Sequence, residues 1–519
     1  MYEELKKAFE LVLKKQKPPT AGIDKISAAV YADRPKQYKK AGSIMKVEGM
    51  KLLKSMENEL TNKTYKLRPY DEILVLKGAN KSPRRISKPT IRDKIFLKLL
   101  NQRLLEVDEY KRLMKKPYTV VKDIKSFMKT GKNLNFLKLD IAKFYDNIDI
   151  TRLLSKLRLD GHIHDETIDW LEQALVNPTV PNNYKKEDRN NYIPEKGVPQ
   201  GLSISNLLAE IYLMDFEETI EREIHDLTAK TPELNLACFR YVDDILILSN
   251  NAYMLDGLKT FLSNGLEGLG LTLNDEKEHT HHFKKDGFGY LGYRFDFDKI
   301  TVLEKNKKKM LDRMVRIIKE ADRKLSDLHE NYKDSEKKLE EYKQGVYFLL
   351  LWRLNIIISG AFIDKFLFGW MAYFRQIDSV KQLQEIDFVL KRKLLKTYLK
   401  GDYYKEFDNI ITKGDGKYFT KLGIRTSCNS IPNLYTLKSL VKVFDEIRHR
   451  KNPNNYKHIM NPTKIDEACQ RSLLKNISSL SVKRVKAMKN YEVKYHFNRE
   501  IFTEIKKLLD TIGLSGYSG

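Results

Sequence analysis

Three aspartates carry most of the chemistry available to this sequence. Tyr241-Val242-Asp243-Asp244 lies between the apolar runs Ala237-Cys238-Phe239 and Ile245-Leu246-Ile247-Leu248. Two β-favouring runs around a tight polar tip predict a hairpin with both carboxylates at its end. Adjacent carboxylates repel unless a cation neutralises them. Hard oxygen ligands on a rigid turn suit Mg²⁺, which keeps waters and completes its shell with substrate phosphates. The pair alone would read as a solvated turn, so a third carboxylate decides the matter. Asn135-Phe136-Leu137-Lys138-Leu139-Asp140 is an apolar strand ending on Asp140, and the aromatic pair Phe144-Tyr145 follows within about a turn. Two strands presenting Asp140 and Asp243 side by side would hold two metal ions roughly 3.5–4 Å apart. One would activate a primer hydroxyl and the other would stabilise departing pyrophosphate. Phosphoryl transfer asks the protein mainly for positioning and charge neutralisation, which such a site supplies.

Between these motifs runs Lys196-Gly197-Val198-Pro199-Gln200-Gly201-Leu202-Ser203-Ile204-Ser205-Asn206-Leu207-Leu208-Ala209. Its Gly and Pro residues predict an irregular loop that gives way to a helix. Glycine beside Gln200 lets the backbone approach the sugar and base of a nucleotide closely. With the three motifs in this order, the chain resembles the reverse transcriptases over roughly residues 20–400. The resemblance implies an α+β right-hand polymerase: fingers and a palm with an antiparallel catalytic sheet, then an all-α thumb and a helical C-terminal domain. The expected boundaries are 1–130 for the fingers and N-terminal helices, 131–298 for the palm, 299–400 for the thumb and 401–519 for a basic helical domain.

The resemblance also assigns roles. It makes Asp140 and Asp243 the principal ligands of two Mg²⁺ ions, with Asp244 as companion carboxylate and Mn²⁺ able to substitute. Gln200 matches the glutamine beside the nucleotide pocket. Tyr145 matches the bulky residue that excludes a ribose 2′-hydroxyl, which implies dNTP substrates and a DNA product. Viral RNA replicases usually carry Gly before Asp-Asp and a small or acidic residue at the sugar gate, where this chain has Val242 and Tyr145. The basic segment from Lys77 to Lys94 resembles the fingers hairpin of bacterial and intron-type enzymes. Lys77 and Arg84 or Arg85 are the expected triphosphate contacts, because guanidinium forks meet phosphate oxygens well. The competing reading is a basic loop on the template backbone. Lys277, in Leu271-Thr272-Leu273-Asn274-Asp275-Glu276-Lys277, matches the lysine that protonates pyrophosphate, with a surface lysine as the alternative. Phe288-Gly289-Tyr290-Leu291-Gly292-Tyr293-Arg294-Phe295 resembles the primer-grip hairpin, and Phe368-Gly369-Trp370-Met371-Ala372-Tyr373-Phe374-Arg375 a thumb segment whose aromatics are expected in a core.

Composition agrees with a nucleic-acid partner. The 519 residues hold 95 Lys and Arg against 70 Asp and Glu, a net charge of +25. The 401–519 segment holds 22 basic and 12 acidic residues and is more positive than the rest. Lys305, Lys307, Lys308, Lys309, Arg313 and Arg316 open a charged helical stretch that reads as a solvated face or as a track for a duplex. Cys238, Cys428 and Cys469 have no metal-ligand or disulfide spacing. No signal-peptide pattern opens the chain, and the apolar run 346–358 is too short to cross a bilayer, so a buried helix and a cytoplasmic location are expected. His279, His281 and His282 read as part of a solvated loop. No Cys/His endonuclease module and no ribonuclease H or integrase carboxylate set is evident. These absences point to the abortive-infection and other defence-associated bacterial enzymes, with an RNA template or noncoding RNA as partner and Tyr517 among the candidate priming tyrosines. The alternative is an intron-type maturase without its endonuclease. Whether the chain forms a homo-oligomer is left open.

Overall fold

The computed structural model describes residues 1–13, 38–76, 82–130, 134–274, 279–282, 287–296, 299–331, 350, 353–355, 357–363, 366–399 and 437–449. Lys77, Lys277, Tyr517 and most of 401–519 lie outside them. The chain divides into two compact units, one within Met1–Asp286 and one that begins at Gly287.

The first unit has the strands β1 (Tyr70–Val75), β2 (Arg84–Lys88), β3 (Asn135–Asp140), β4 (Thr179–Val180), β5 (Leu236–Tyr241), β6 (Asp244–Ser249) and β7 (His279–His282), of which β3, β5 and β6 come from the apolar runs. A four-stranded antiparallel sheet has the order β5-β6-β3-β7. Its central strands are largely apolar between their ends, and Leu137, Leu139 and Ile245 to Leu248 are all buried. The helices Pro117–Thr130, Met214–Lys230 and Ala252–Gly268 pack on this sheet. β1 pairs antiparallel with β2 and parallel with β4. A continuous core running from Leu5 to Leu271 joins these parts.

Local signals set the helix ends. Thr90 accepts the Asp93 N–H and starts the helix Ile91–Leu104. Asp149 does the same for Ile150–Asp160, which stops at Gly161 in the left-handed region. The histidine cluster departs from expectation: residues 279–282 form β7, registered on β3 from Lys138↔His279 to Asn135↔His282. That pairing occupies backbone groups that β3 would otherwise leave as an open edge.

In the second unit, β8 (Phe288–Tyr290), β9 (Tyr293–Phe295) and β10 (Ile300–Val302) form an antiparallel sheet in the order β10-β9-β8. The β8–β9 turn places Leu291 at φ 47° and Gly292 at φ 83°, as a two-residue hairpin requires. Helix Glu304–Asn331 buries Met310, Met314, Ile317 and Ile318 and exposes Lys305, Lys308, Lys309 and Arg316. The region after Leu303 is not wholly helical. β11 (Ala361–Ile363) and β12 (Phe366–Phe368) pair antiparallel, and their aromatic and β-branched residues favour strands. Trp370 and Phe374 are buried with ring centroids 4.8 Å apart, so these aromatics are core. Asp387 in the helix Lys381–Leu399 accepts from Ser439 Oγ (2.6 Å) and the Leu440 N–H (2.9 Å), capping the helix Leu440–His449. Around the 346–358 run, Leu354, Ile357 and Ile358 are buried in helical segments. Among the described residues, no helix is long and apolar enough to cross a membrane.

Candidate active site

The site is built where β3 ends and the β5–β6 hairpin turns. The register sets Asp140 opposite Asp244 and Tyr241 opposite Asp244, leaving Val242 and Asp243 as the two-residue turn. Directly opposed residues of an antiparallel pair share a face, so Asp140 has Asp244 as its strand partner and Asp243 above it in the turn. The turn is fastened to β3 by the Ile141 N–H, which donates to the Asp243 carbonyl at 2.9 Å. On the other side of Asp140, Asn274 donates its backbone N–H to the Asp140 carbonyl (2.8 Å) and its Nδ2 to Oδ2 (3.4 Å). Asp140 is buried, while Asp243 and Asp244 are half-buried.

Val242 has φ +58°, a conformation that a β-branched residue rarely adopts. Arg240 holds it there. The Arg240 side chain is 4 % exposed and forms ion pairs with Glu210 (2.5 Å) and Glu217 (2.9 Å). Its remaining nitrogen donates to the Val242 carbonyl at 2.8 Å. Burial pushes the Glu210 carboxyl up, and the Arg240 guanidinium pulls it back.

The segments around Tyr145 and Gln200 are laced together by hydrogen bonds. Gly197 donates to the Ile148 carbonyl (2.8 Å) and Val198 to the Tyr145 carbonyl (2.7 Å). Gln200 donates from Nε2 to Asp146 Oδ1 (3.1 Å), and its carbonyl accepts the Ser87 N–H of β2 (2.7 Å). Tyr145 donates its hydroxyl to Asn206 Oδ1 at 2.5 Å. Gln200, Tyr145 and β2 are therefore brought together. Two glycines make this lacing sterically possible. Gly197 has φ +93° and lies where a Cβ would be 2.8 Å from the Asp146 carbonyl oxygen. Gly201 has φ +104°, and a Cβ there would be 2.7 Å from Ile86 Cγ2 and 3.1 Å from the Ser87 oxygen. Gly201→Ala is expected to destabilise the protein by about 1–3 kcal/mol from backbone strain alone. The urea midpoint should fall with an unchanged m-value, and adding Ile86→Ala should recover only the part due to the clash.

The two hairpin arginines differ. Both are exposed, but Arg85 is already engaged with Glu72 Oε1 (2.7 Å) and the Thr179 carbonyl (2.6 Å). Four residues that local pattern did not single out complete the arrangement: Asp146, Asn206, Arg240 and Asn274. Only Arg240 had a visible signal, since a charge next to Tyr241 in an otherwise apolar strand needs a partner once buried.

Among the described residues, no three His, Cys, Asp or Glu side chains are gathered into a ready-made metal cage. Mg²⁺ commonly takes only one or two protein carboxylates and fills its shell with waters and phosphates. The three aspartates on one sheet end are a donor set of that kind.

Residues 75–295 match the family model described as reverse transcriptase (RNA-dependent DNA polymerase). The matched segment is somewhat under half of the chain, and β2 to β9 with all three aspartates lie inside it. None of the curated proteins compared with it matches. Among solved structures, it is similar to apo telomerase from Candida tropicalis truncated from its C-terminal domain. That match has 15% identity over 47% of this chain and 59% of the other, with a TM-score of 0.34. It is also similar to telomerase from Candida albicans in complex with a TWJ fragment of telomeric RNA, at 14% identity over 82% and 64%, TM-score 0.40. A third is the RNA-dependent RNA polymerase of a human picobirnavirus, at 15% identity over 44% and 43%, TM-score 0.31. The chain spans less than two thirds of the length of each of these three.

Proposed function

We propose that this protein is an RNA-directed DNA polymerase that joins dNTPs by two-metal nucleotidyl transfer. The observation that carries the reading is the pairing of Asp140 with Asp244, with Asp243 in the adjoining turn, inside the segment that matches the reverse transcriptase model. Asp140, Asp243 and Asp244 would hold divalent cations, Mg²⁺ first. When bound, those ions supply neutralisation of the triphosphate and activation of the attacking hydroxyl. The chain's own residues do the rest. Tyr145 fills the space beside C2′ of the incoming sugar. Gln200, fixed between Asp146 and β2, lies along the sugar and base. Arg84 meets the triphosphate, while Arg85 holds the hairpin through Glu72 and Thr179. Lys77 and Lys277 are assigned to triphosphate and pyrophosphate by family resemblance.

The finer reading extends this to the rest of the chain. Residues 299–400 act as a thumb, with the exposed cations of helix Glu304–Asn331 following a duplex backbone. The basic segment 401–519 holds nucleic acid by its charge. The biological role is bacterial antiphage defence of the abortive-infection type, with synthesis primed on a protein hydroxyl and guided by a noncoding RNA or untemplated. Motif resemblance and the lack of recognisable mobility-module motifs support that role.

The test is incorporation of each labelled dNTP by purified protein with Mg²⁺, with and without primed RNA, beside an Asp243→Ala control. Label that stays on protein after nuclease treatment and disappears in the variant is the expected result. Incorporation only on primed RNA would keep the polymerase and remove self-priming. Incorporation that survives Asp243→Ala would remove the site.

A further inference from the structure

We propose that Asn206 is a positioning residue that makes sugar selection the work of a two-residue clamp, Tyr145 with Asn206. The proposal rests on the reading of this protein as a dNTP polymerase and deepens it.

A tyrosine selects against a 2′-hydroxyl only if its ring is held where that hydroxyl would go. A half-buried phenol on the single-turn helix Phe144–Asn147 has two side-chain torsions and keeps one orientation only if something fixes them. Here the stop is the Asn206 Oδ1, which accepts the Tyr145 hydroxyl proton at 2.5 Å. Asn206 is well suited to the task. It lies in the helix Ser205–Tyr212, where Ser205 and every residue from Leu207 to Tyr212 are buried. Asn206 is the half-buried exception on that helix. Its short side chain therefore projects from a backbone fixed by the core. Ser205 Oγ adds a bond to the Pro199 carbonyl at 2.5 Å, tying the same helix start to the loop that carries Gln200.

The consequence is that gate and pocket are one body. The Tyr145 backbone is bound by Val198, its hydroxyl by Asn206, and its neighbour Asp146 by Gln200. A change at Asn206 should thus alter sugar choice without touching the aspartates. A purely steric gate predicts that the tyrosine hydroxyl contributes nothing beyond its volume. A clamp predicts that removing the hydroxyl and removing its acceptor have the same effect, and that doing both adds nothing.

The experiment measures kcat/KM for dTTP and UTP on oligo(dT)-primed poly(rA), under Mg²⁺, for six forms. These are the wild type, Tyr145→Ala, Tyr145→Phe, Asn206→Ala, Asn206→Leu and Tyr145→Phe with Asn206→Ala. Tyr145→Phe keeps the ring and removes one oxygen, so it tests the clamp even if an Asn206 variant folds poorly. The expected result is a loss of discrimination of about 3- to 10-fold in Tyr145→Phe and in each Asn206 variant, the range of one hydrogen bond. The loss should appear as a lower KM for UTP, and the double variant should match the singles. Tyr145→Ala should lose more than any of them. If Tyr145→Ala relaxes discrimination while Tyr145→Phe and the Asn206 variants keep the wild-type ratio, the clamp is overturned and the polymerase reading stands. Singles whose effects multiply in the double variant would also overturn it. No DNA synthesis, or an unchanged ratio in Tyr145→Ala, would remove the underlying reading and the clamp with it.

Discussion

Asp140→Asn is expected to lower dNTP incorporation by at least about 10²–10³-fold, the range for losing one preorganised electrostatic contact to a transition state, while leaving the fold as stable or slightly more so. Asn matches Asp in shape, and its Oδ1 can still accept from Asn274 Nδ2. What disappears is one of two charges that the register sets directly opposite each other, Asp140 and Asp244. Like charges in that arrangement cost roughly 0.2–1 kcal/mol, so thermal unfolding without metal should show an unchanged or higher Tm. Titration with Mg²⁺ supplies a readout independent of activity. A ligand that binds only the folded state raises Tm by mass action. Mg²⁺ should therefore raise the wild-type Tm and have much less effect on Asp140→Asn. A variant that keeps wild-type incorporation would sink the assignment of Asp140.

Arg240→Met should have the largest effect on stability. The guanidinium is 4 % exposed and serves Glu210, Glu217 and the Val242 carbonyl together. Breaking a buried ion pair from one side costs about 3–5 kcal/mol, because the remaining charge is left without compensation. The loss should depend on pH in a definite direction. Burial already pushes the Glu210 carboxyl up, and without Arg240 only the smaller pull of the Lys115 charge opposes it. The folded variant then keeps its Glu210 proton at pH values where the unfolded chain, with an ordinary glutamate near 4.3, has released it. Above that value the folded state binds more protons than the unfolded one, so stability falls as pH rises. The variant should thus recover stability on acidification relative to wild type. Glu210→Gln in the same background should restore part of it at pH 7. Equal urea midpoints for wild type and Arg240→Met would contradict the whole arrangement. Activity should fall as well, because Val242 loses the donor that holds its left-handed turn beneath Asp243.

Much of the site is legible in the amino-acid sequence. Apolar runs around Tyr241-Val242-Asp243-Asp244 predicted the hairpin, and β5 and β6 turn there. The run ending on Asp140 predicted a strand end, and β3 stops at that residue. The Gly/Pro loop before Ser205 predicted a helix start, and the helix begins at Ser205. These features are local: alternation, turn chemistry and helix onset are written within a few residues of one another. Two expectations failed: the all-α stretch after Leu303, which contains the β11–β12 pair, and the loop at His279 to His282, where polar residues in a short stretch carry no record of a neighbouring open edge.

The sequence by itself determined which residues could do chemistry and the kind of element each would sit on. Three aspartates, a glycine-flanked glutamine and a bulky aromatic after Asp140 are composition and spacing, readable without a fold. Tertiary structure alone decided who faces whom. It set Asp244, not Asp243, opposite Asp140, buried Arg240 between two glutamates, and placed Asn206 against Tyr145. The physical reason is that strand register and helix placement follow from burying apolar surface contributed by segments far apart in the chain. A shift of one residue would turn every β3 side chain to the other face. No short-range pattern carries that information, because it exists only once the core has closed.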